Sequence, residues 1–283
     1  MELTDTHPSN PNQIKAVAII PARYQSSRLP GKALLEISGK PMICLVASQA
    51  SKARNVERVI VATDDQRIVS VVEAAGFEAV LTRPDHASGT DRIAEVAAKL
   101  DTEIVVNVQG DEPLIAPETI ERAVAALVAS PTAGIVTTWE PIAQAADVLN
   151  PDLVKIVVDA GGRAVYFSRA PVPWPRDAVR EHGSLENALL QKPSLLRSFR
   201  KHTGLYVYRR DLLLQFTKWP QSELELQESL EQLRALEYGV QIQAMAASTP
   251  SIGVDTQEDL ELVRKLVLSS EFQAPRVEVL SGT

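Results

Sequence analysis

The run Ala16-Val17-Ala18-Ile19-Ile20 stops at Pro21 and gives way at once to a loop carrying Arg23, Arg28 and Lys32, and this junction limits the folds open to the chain. Five successive small or aliphatic residues with no polar alternation describe a strand covered on both faces, as in a parallel sheet. The loop leaves from the carboxyl end of that strand, the edge at which open α/β sheets bind their ligands. It contains no acid, and Pro30-Gly31 supplies a tight turn that can bring Lys32 back over an anion. Three cations this close repel one another unless an anion or solvent offsets them. Their place directly after a buried first strand favours a polyphosphate.

The rest of the chain keeps the same rhythm. Glu57 to Asp65, Phe77 to Thr82 and Glu103 to Val108 read as further strands, the first and last of them buried, with helices expected from Pro41 to about Ala53, over 66–75 with Gly76 as the stop, from Ser88 to Leu100 and over 117–129. Strand and helix alternating in this way imply an α/β fold with right-handed crossovers. Ile135 to Trp139 adds a strand, and 154–159 with 164–167 form a β-hairpin around Gly161-Gly162. A strand over 202–209 puts His202, Gly204, Tyr206 and Tyr208 on one face. One helix is expected over 222–238, where Leu226, Leu230 and Leu233 keep helical spacing, and another after the Thr256/Asp259 capping box to about Leu268. Residues 1–14 read as a disordered leader, 15–268 as one domain and 269–283 as a tail.

Two carboxylates complement the cationic loop. Gly110-Asp111 follows the strand that ends at Val108, where a glycine permits close backbone approach and a carboxylate can hold magnesium against triphosphate oxygens. Asp255, just ahead of the last capping box, is a second carboxylate that the fold can return to Asp111. A net charge of -7 argues against a nucleic-acid surface and suits a small anionic ligand bound by a local basic loop. The lone Cys44 lies in an apolar run, which excludes an intrachain disulfide and a cysteine-built zinc site. No apolar stretch approaches membrane-spanning length and the first fifteen residues have no signal-peptide core, so the cytoplasm is the expected compartment.

Familiar phosphate motifs do not account for the loop. In a Walker A reading the first glycine would be Ser26 and the magnesium-binding hydroxyl would be Ala33, and no G-x-G-x-x-G follows the strand. Ile20 to Lys32 instead resembles the signature loop of the sugar-activating nucleotidyltransferases. Its Arg-Tyr-x-Ser-x-Arg-Leu-Pro-Gly-Lys form is similar to that of the 3-deoxy-manno-octulosonate (Kdo) cytidylyltransferase family. His86 to Arg92 is similar to that family's His-x-Ser-Gly-Thr-Glu-Arg segment, His202 to Tyr206 to its His-x-Gly-x-Tyr, and Leu230 to Arg234 to its Leu-Glu-Gln-Leu-Arg.

The resemblance covers Ala16 to about Val267 and implies a Rossmann-like, GT-A-like mixed sheet flanked by helices, with a smaller β-rich lobe for sugar binding and dimerisation. The nucleotide part would be about 15–140 with 240–268, and the sugar and dimer part about 141–239. It implies a homodimer that joins CTP to Kdo, giving CMP-Kdo and diphosphate for lipopolysaccharide assembly. Ala22, Arg23, Ser27, Arg28, Lys32, Ser88 and Gln109 would bind the nucleotide, and Arg92, Arg169, His202, Tyr206, Glu231 and Gln232 the sugar, with Arg169 facing its carboxylate. Arg23 and Lys32 would stabilise the triphosphate while Asp111 and Asp255 hold Mg2+, these four forming the catalytic set. Two other readings stay open: transfer to another acceptor on the same fold, such as an amino-substituted Kdo, a sialate or a polyol phosphate, and a nucleotide-binding regulator without chemistry.

Overall fold

The aliphatic runs assemble into one mixed sheet. The computed structural model describes residues 16–26 and 28–269; the expected leader, Ser27 and all of the expected tail but Ser269 lie outside the described residues. The chain runs β1 (Ala16–Ala22), β2 (Glu36–Ile37), β3 (Lys40–Pro41), α1 (Met42–Ala50), β4 (Val56–Thr63), α2 (Gln66–Ala74), β5 (Glu78–Leu81), α3 (Gly89–Ala97), β6 (Ile104–Asn107) and α4 (Pro117–Ala129). It continues through β7 (Ile135–Pro141), α5 (Ala145–Leu149), β8 (Lys155–Val158), β9 (Ala164–Ser168), α6 (Arg176–His182), α7 (Leu185–Gln191), β10 (Arg200–Arg209), α8 (Arg210–Phe216), α9 (Glu223–Glu228), α10 (Glu231–Glu237), β11 (Ile242–Ala246) and α11 (Gln257–Leu268).

Strand order is β11-β7-β10-β6-β1-β4-β5, with the β8–β9 hairpin joined at β10. β1 lies parallel to β4 on one side and to β6 on the other. β10 runs antiparallel to both β6 and β7, and makes the sheet mixed. The chain builds outward from β1 through β4 to β5, then returns to place β6 on the opposite side of β1. That reversal opens a crevice at the carboxyl ends of β1 and β6, the position at which open α/β sheets take ligands.

Alternation along the strands divides the core. Ala18, Ile20, Val61 and Val106 face α1, α2 and α4, whereas Val17, Ile19, Ile60 and Val105 face α3, α8 and α10. Helix α11 packs separately, with Val254, Leu260 and Val263 against Ile37, Met42 and Leu45. This brings the segment before α11 back to the start of the chain.

The helix expected over 222–238 is two helices. Ser229 adopts a left-handed backbone with φ 52°, so α9 ends at Glu228 and α10 begins anew at Glu231. The break lets Glu228 accept bonds from Ser168 Oγ at 2.6 Å and from the Arg169 amide at 2.8 Å, tying α9 to the end of the hairpin. Leu226 is consequently exposed, and Leu230 and Leu233 carry the packing. Glu225 of α9 and Arg234 of α10 rejoin the two pieces through a bidentate pair at 2.7 and 2.6 Å, both side chains almost fully buried. Residues 176–198 form α6, α7 and a closing 3-10 turn.

Removing one partner of such a pair strands a buried charge. Glu225→Gln is therefore expected to lower unfolding stability by about 3–5 kcal/mol, read as a fall in urea midpoint with an unchanged slope. An unchanged midpoint would show that the pair contributes nothing to the joint between α9 and α10.

Candidate active site

Lys32 is the meeting point of three distant segments. Its Nζ donates to Asp111 Oδ2 at 2.6 Å and to Asp255 Oδ1 at 3.0 Å, and Arg28 adds an ion pair to Asp255 Oδ2 at 3.0 Å. The turn that delivers Lys32 is built locally: Gly31 has φ 69°, its amide donates to the Tyr24 carbonyl at 3.1 Å, and the Tyr24 ring lies beneath it. Tyr24 is in turn covered by the Arg67 guanidinium, 3.3 Å from the ring centroid. Asp255 is delivered by the backbone, since the Val254 amide donates to the Asp111 carbonyl at 2.9 Å. Burial disfavours the charge on Lys32, but the charge and hydrogen bond of Asp111, followed by those of Asp255, outweigh it and raise its pKa.

These groups line a cavity of about 330 Å³ together with Ala22, Arg23, Gln109 and Gly110. Arg23 spans its rim, donating to the His86 carbonyl at 2.9 Å. The two strand ends are in close contact here: a Cβ on Gly110 would lie 2.7 Å from the Pro21 carbonyl oxygen. Only glycine allows that approach. Of the residues expected to contact nucleotide, Ala22, Arg23, Arg28, Lys32 and Gln109 converge on this one cavity.

Gln109 also lines a second cavity, of about 250 Å³, with Thr90, Asn107, Tyr206, Tyr208, Glu231 and Gln232. Tyr206, Glu231 and Gln232 of the expected sugar set therefore adjoin the cationic cavity through a shared glutamine. A third cavity of about 260 Å³ is lined by Glu112, Asp152, Lys201, His202, Thr203 and Ser251 among others. Burial, reinforced by the neighbouring Asp111, pushes the Glu112 carboxyl up to about 7, and burial depresses the His202 imidazole to about 3.

Three expected residues are placed elsewhere. Arg92 is fully buried on α3, donating to Thr82 Oγ1 at 2.6 Å and Asp64 Oδ2 at 2.7 Å, so it ties α3 to the residues that follow β5 and β4 and lines none of the three cavities. Arg169 donates to the Glu228 carbonyl at 2.7 Å and the Pro151 carbonyl at 3.1 Å, which ties its guanidinium to the α9–α10 break, and it lines none of the three cavities. The Ser88 hydroxyl caps α3 in a reciprocal box with Asp91 and lines none of the three cavities. Tyr208 shares a strand face with Tyr206 and Thr90 lies inside the 86–92 segment, yet the sequence assigns neither of them, nor Asn107, to the site. Asn107 did carry a signal, as a polar residue inside a buried strand between Val106 and Val108.

A family model described as cytidylyltransferase matches residues 17–242. The chain belongs to the cytidylyltransferase family. A 3-deoxy-manno-octulosonate cytidylyltransferase of Pseudomonas syringae pv. syringae is 51% identical over 253 residues, covering 88% of this chain and 96% of the relative. One of Geobacter metallireducens is 49% identical over 92% of this chain and the whole of the relative. The solved structure of a CMP:2-keto-3-deoxy-manno-octonic acid synthetase complexed with CTP superposes with a TM-score of 0.80 at 43% identity, over 89% of this chain and 98% of that one. A 4-diphosphocytidyl-2C-methyl-D-erythritol synthase from Anaerococcus prevotii, at 13% identity and TM-score 0.57, shares the fold alone. The cytidylyltransferase core is thus a mixed, mostly parallel sheet flanked by helices, as the resemblance implied.

The depressed His202 pKa has a measurable sign. An imidazole that stays neutral to about pH 3 when folded, against an ordinary 6.5, takes up a proton on unfolding between these values, so stability falls as pH drops through that window. His202→Gln is expected to flatten the acid limb of stability against pH by a few kcal/mol while changing little above pH 7. Parallel acid limbs in the two proteins would contradict this environment for His202.

Proposed function

We propose that the chain is the cytidylyltransferase for Kdo, converting CTP and Kdo into CMP-Kdo and diphosphate and so supplying activated sugar for lipopolysaccharide assembly. The observation that carries the reading is the convergence of Arg23, Arg28, Lys32, Asp111 and Asp255 on the crevice between β1 and β6, within a chain of this family and this close to named Kdo cytidylyltransferases. A sugar hydroxyl attacks the α-phosphate, forming one P–O bond as the bond to the departing diphosphate breaks. The hydroxyl oxygen as its proton passes to solvent, the α-phosphate oxygens and the departing diphosphate all bear negative charge, so neutralisation and alignment dominate the catalysis. Arg23, Arg28 and Lys32 supply cations along the triphosphate. Gln109, at the wall shared by the two cavities, stands where nucleotide and sugar meet. Tyr206, Glu231 and Gln232 bind the sugar hydroxyls, and His202 joins them from the third cavity.

The residues present fit Mg2+. Asp111 and Asp255 aim their oxygens at one shared cation, the Lys32 ammonium, and hard carboxylate oxygens are the donors that magnesium takes. Among the described residues no cluster of three or more His, Cys, Asp or Glu could cage a metal unaided, which suits an ion completed by substrate phosphates and water. When bound it would neutralise phosphate charge and lower the pKa of the attacking hydroxyl. We further propose a cytoplasmic homodimer. Val165 on β9 and Trp174 beyond it are exposed apolar side chains available to self-association, and no described helix is long and apolar enough to cross a membrane.

Diphosphate release with CTP, magnesium and Kdo, run beside the other three nucleoside triphosphates and an 8-amino analogue of Kdo, tests the reading. Release confined to CTP with Kdo is expected, and Asp111→Asn or Asp255→Asn is expected to lower it by about a hundredfold or more. Preference for the amino sugar would reassign the acceptor. Silence with every sugar acid would overturn the reading.

A further inference from the structure

β10 carries an irregularity that bears on His202. Its pairing with β7 jumps from Thr203↔Thr138 to Tyr206↔Thr137, so Gly204 and Leu205 fall outside that ladder. Both freed carbonyls are taken by side chains: Gln109 Nε2 donates to the Gly204 carbonyl at 3.0 Å, and Thr137 Oγ1 donates to the Leu205 carbonyl at 2.9 Å. Thr137 is fully buried and its hydroxyl also lies 2.9 Å from His202 Nε2. A hydroxyl has one proton. A carbonyl can only accept, so the proton of Thr137 belongs to Leu205, and His202 Nε2 must itself donate to Thr137 Oγ1. The opposite assignment would leave two oxygen lone pairs facing each other at 2.9 Å inside the core.

We propose that Thr137 is a positioning residue that fixes His202 as the neutral Nε2–H tautomer, leaving Nδ1 as a hydrogen-bond acceptor for a substrate hydroxyl in the third cavity. Nδ1 has no hydrogen-bond partner among the described residues, and it is not among the buried polar atoms sealed without one. The ring lines the cavity and is held between Phe167, edge-on at 5.0 Å, and Tyr206 at 5.3 Å, so it cannot turn over freely. Its depressed pKa keeps that lone pair available at neutral pH. The hydroxyl as ligand rests on the function proposed above; the tautomer does not.

The test begins with ligand-free, 15N-labelled protein, in which long-range proton–nitrogen correlations report which ring nitrogen carries the proton. The wild type is expected to show His202 protonated at Nε2, Thr137→Val to shift it toward Nδ1–H or a mixture, and Thr137→Ser to restore it. In kinetics, Thr137→Val is expected to raise KM for the sugar acid about tenfold with kcat and KM for CTP nearly unchanged, and Ser to rescue it. Nδ1–H in the wild type, or an unaltered tautomer in a Val variant whose melting curve shows it folded, would overturn the proposal. A tautomer shift with an unmoved sugar KM would uphold the Thr137–His202 relay and overturn the contact between His202 and the sugar. The NMR result stands even if no sugar acid supports diphosphate release.

Discussion

The site depends on one ammonium group held by two carboxylates. Asp111 closes β6, Asp255 precedes α11, and Lys32 comes from the loop after β1, segments separated by as many as 223 positions in the chain. Nothing local brings them together. The parallel pairing of β1 with β6 and the packing of α11 against Ile37, Met42 and Leu45 set the approach, and the backbone bond from Val254 to Asp111 completes it. The lysine offsets the repulsion of two neighbouring acids. The same three groups are those a triphosphate and its metal would engage, so the charges that hold the crevice together also equip it for substrate.

Around that point the fold places rigid supports. Gly110 allows the end of β6 to touch Pro21, Tyr24 underlies the Gly31 turn, and Arg67 covers Tyr24. The bulge in β10 does similar work on the far side, where its two freed carbonyls hold Gln109 and Thr137. Gln109 is then fixed at the wall between the cationic cavity and the one lined by Glu231 and Gln232. Substrates placed on its two sides would meet in a set orientation, and orientation supplies much of the catalysis in a transfer between two anions.

The strands were legible because burial on both faces leaves an unmixed aliphatic run, and the loops at their ends were legible as chemistry because sheet topology decides which edge binds ligand. Lys32, Asp111 and Asp255 could be read from that logic. The α9–α10 break could not: Leu226, Leu230 and Leu233 satisfy helical spacing whether or not Ser229 turns left-handed, and the partners that favour the break, Ser168 and Arg169, are about sixty residues away. The packing of Arg92 and Arg169 was hidden for a related reason. An arginine in a family segment looks the same whether its guanidinium meets a substrate or, as here, Asp64 and a row of carbonyls. Thr137 left no trace in the motifs because its role appears only when a bulge elsewhere frees the carbonyl that takes its proton.

A crystal structure of the chain with CTP and magnesium would show whether this crevice takes the triphosphate. The triphosphate is expected in the crevice between β1 and β6, contacted by Arg23, Arg28 and Lys32, with the Lys32 ammonium moved off at least one of its two aspartates to meet phosphate and the metal between Asp111, Asp255 and phosphate oxygens. A nucleotide bound at another edge of the sheet, or a Lys32–Asp111–Asp255 cluster unchanged beneath bound CTP, would contradict it.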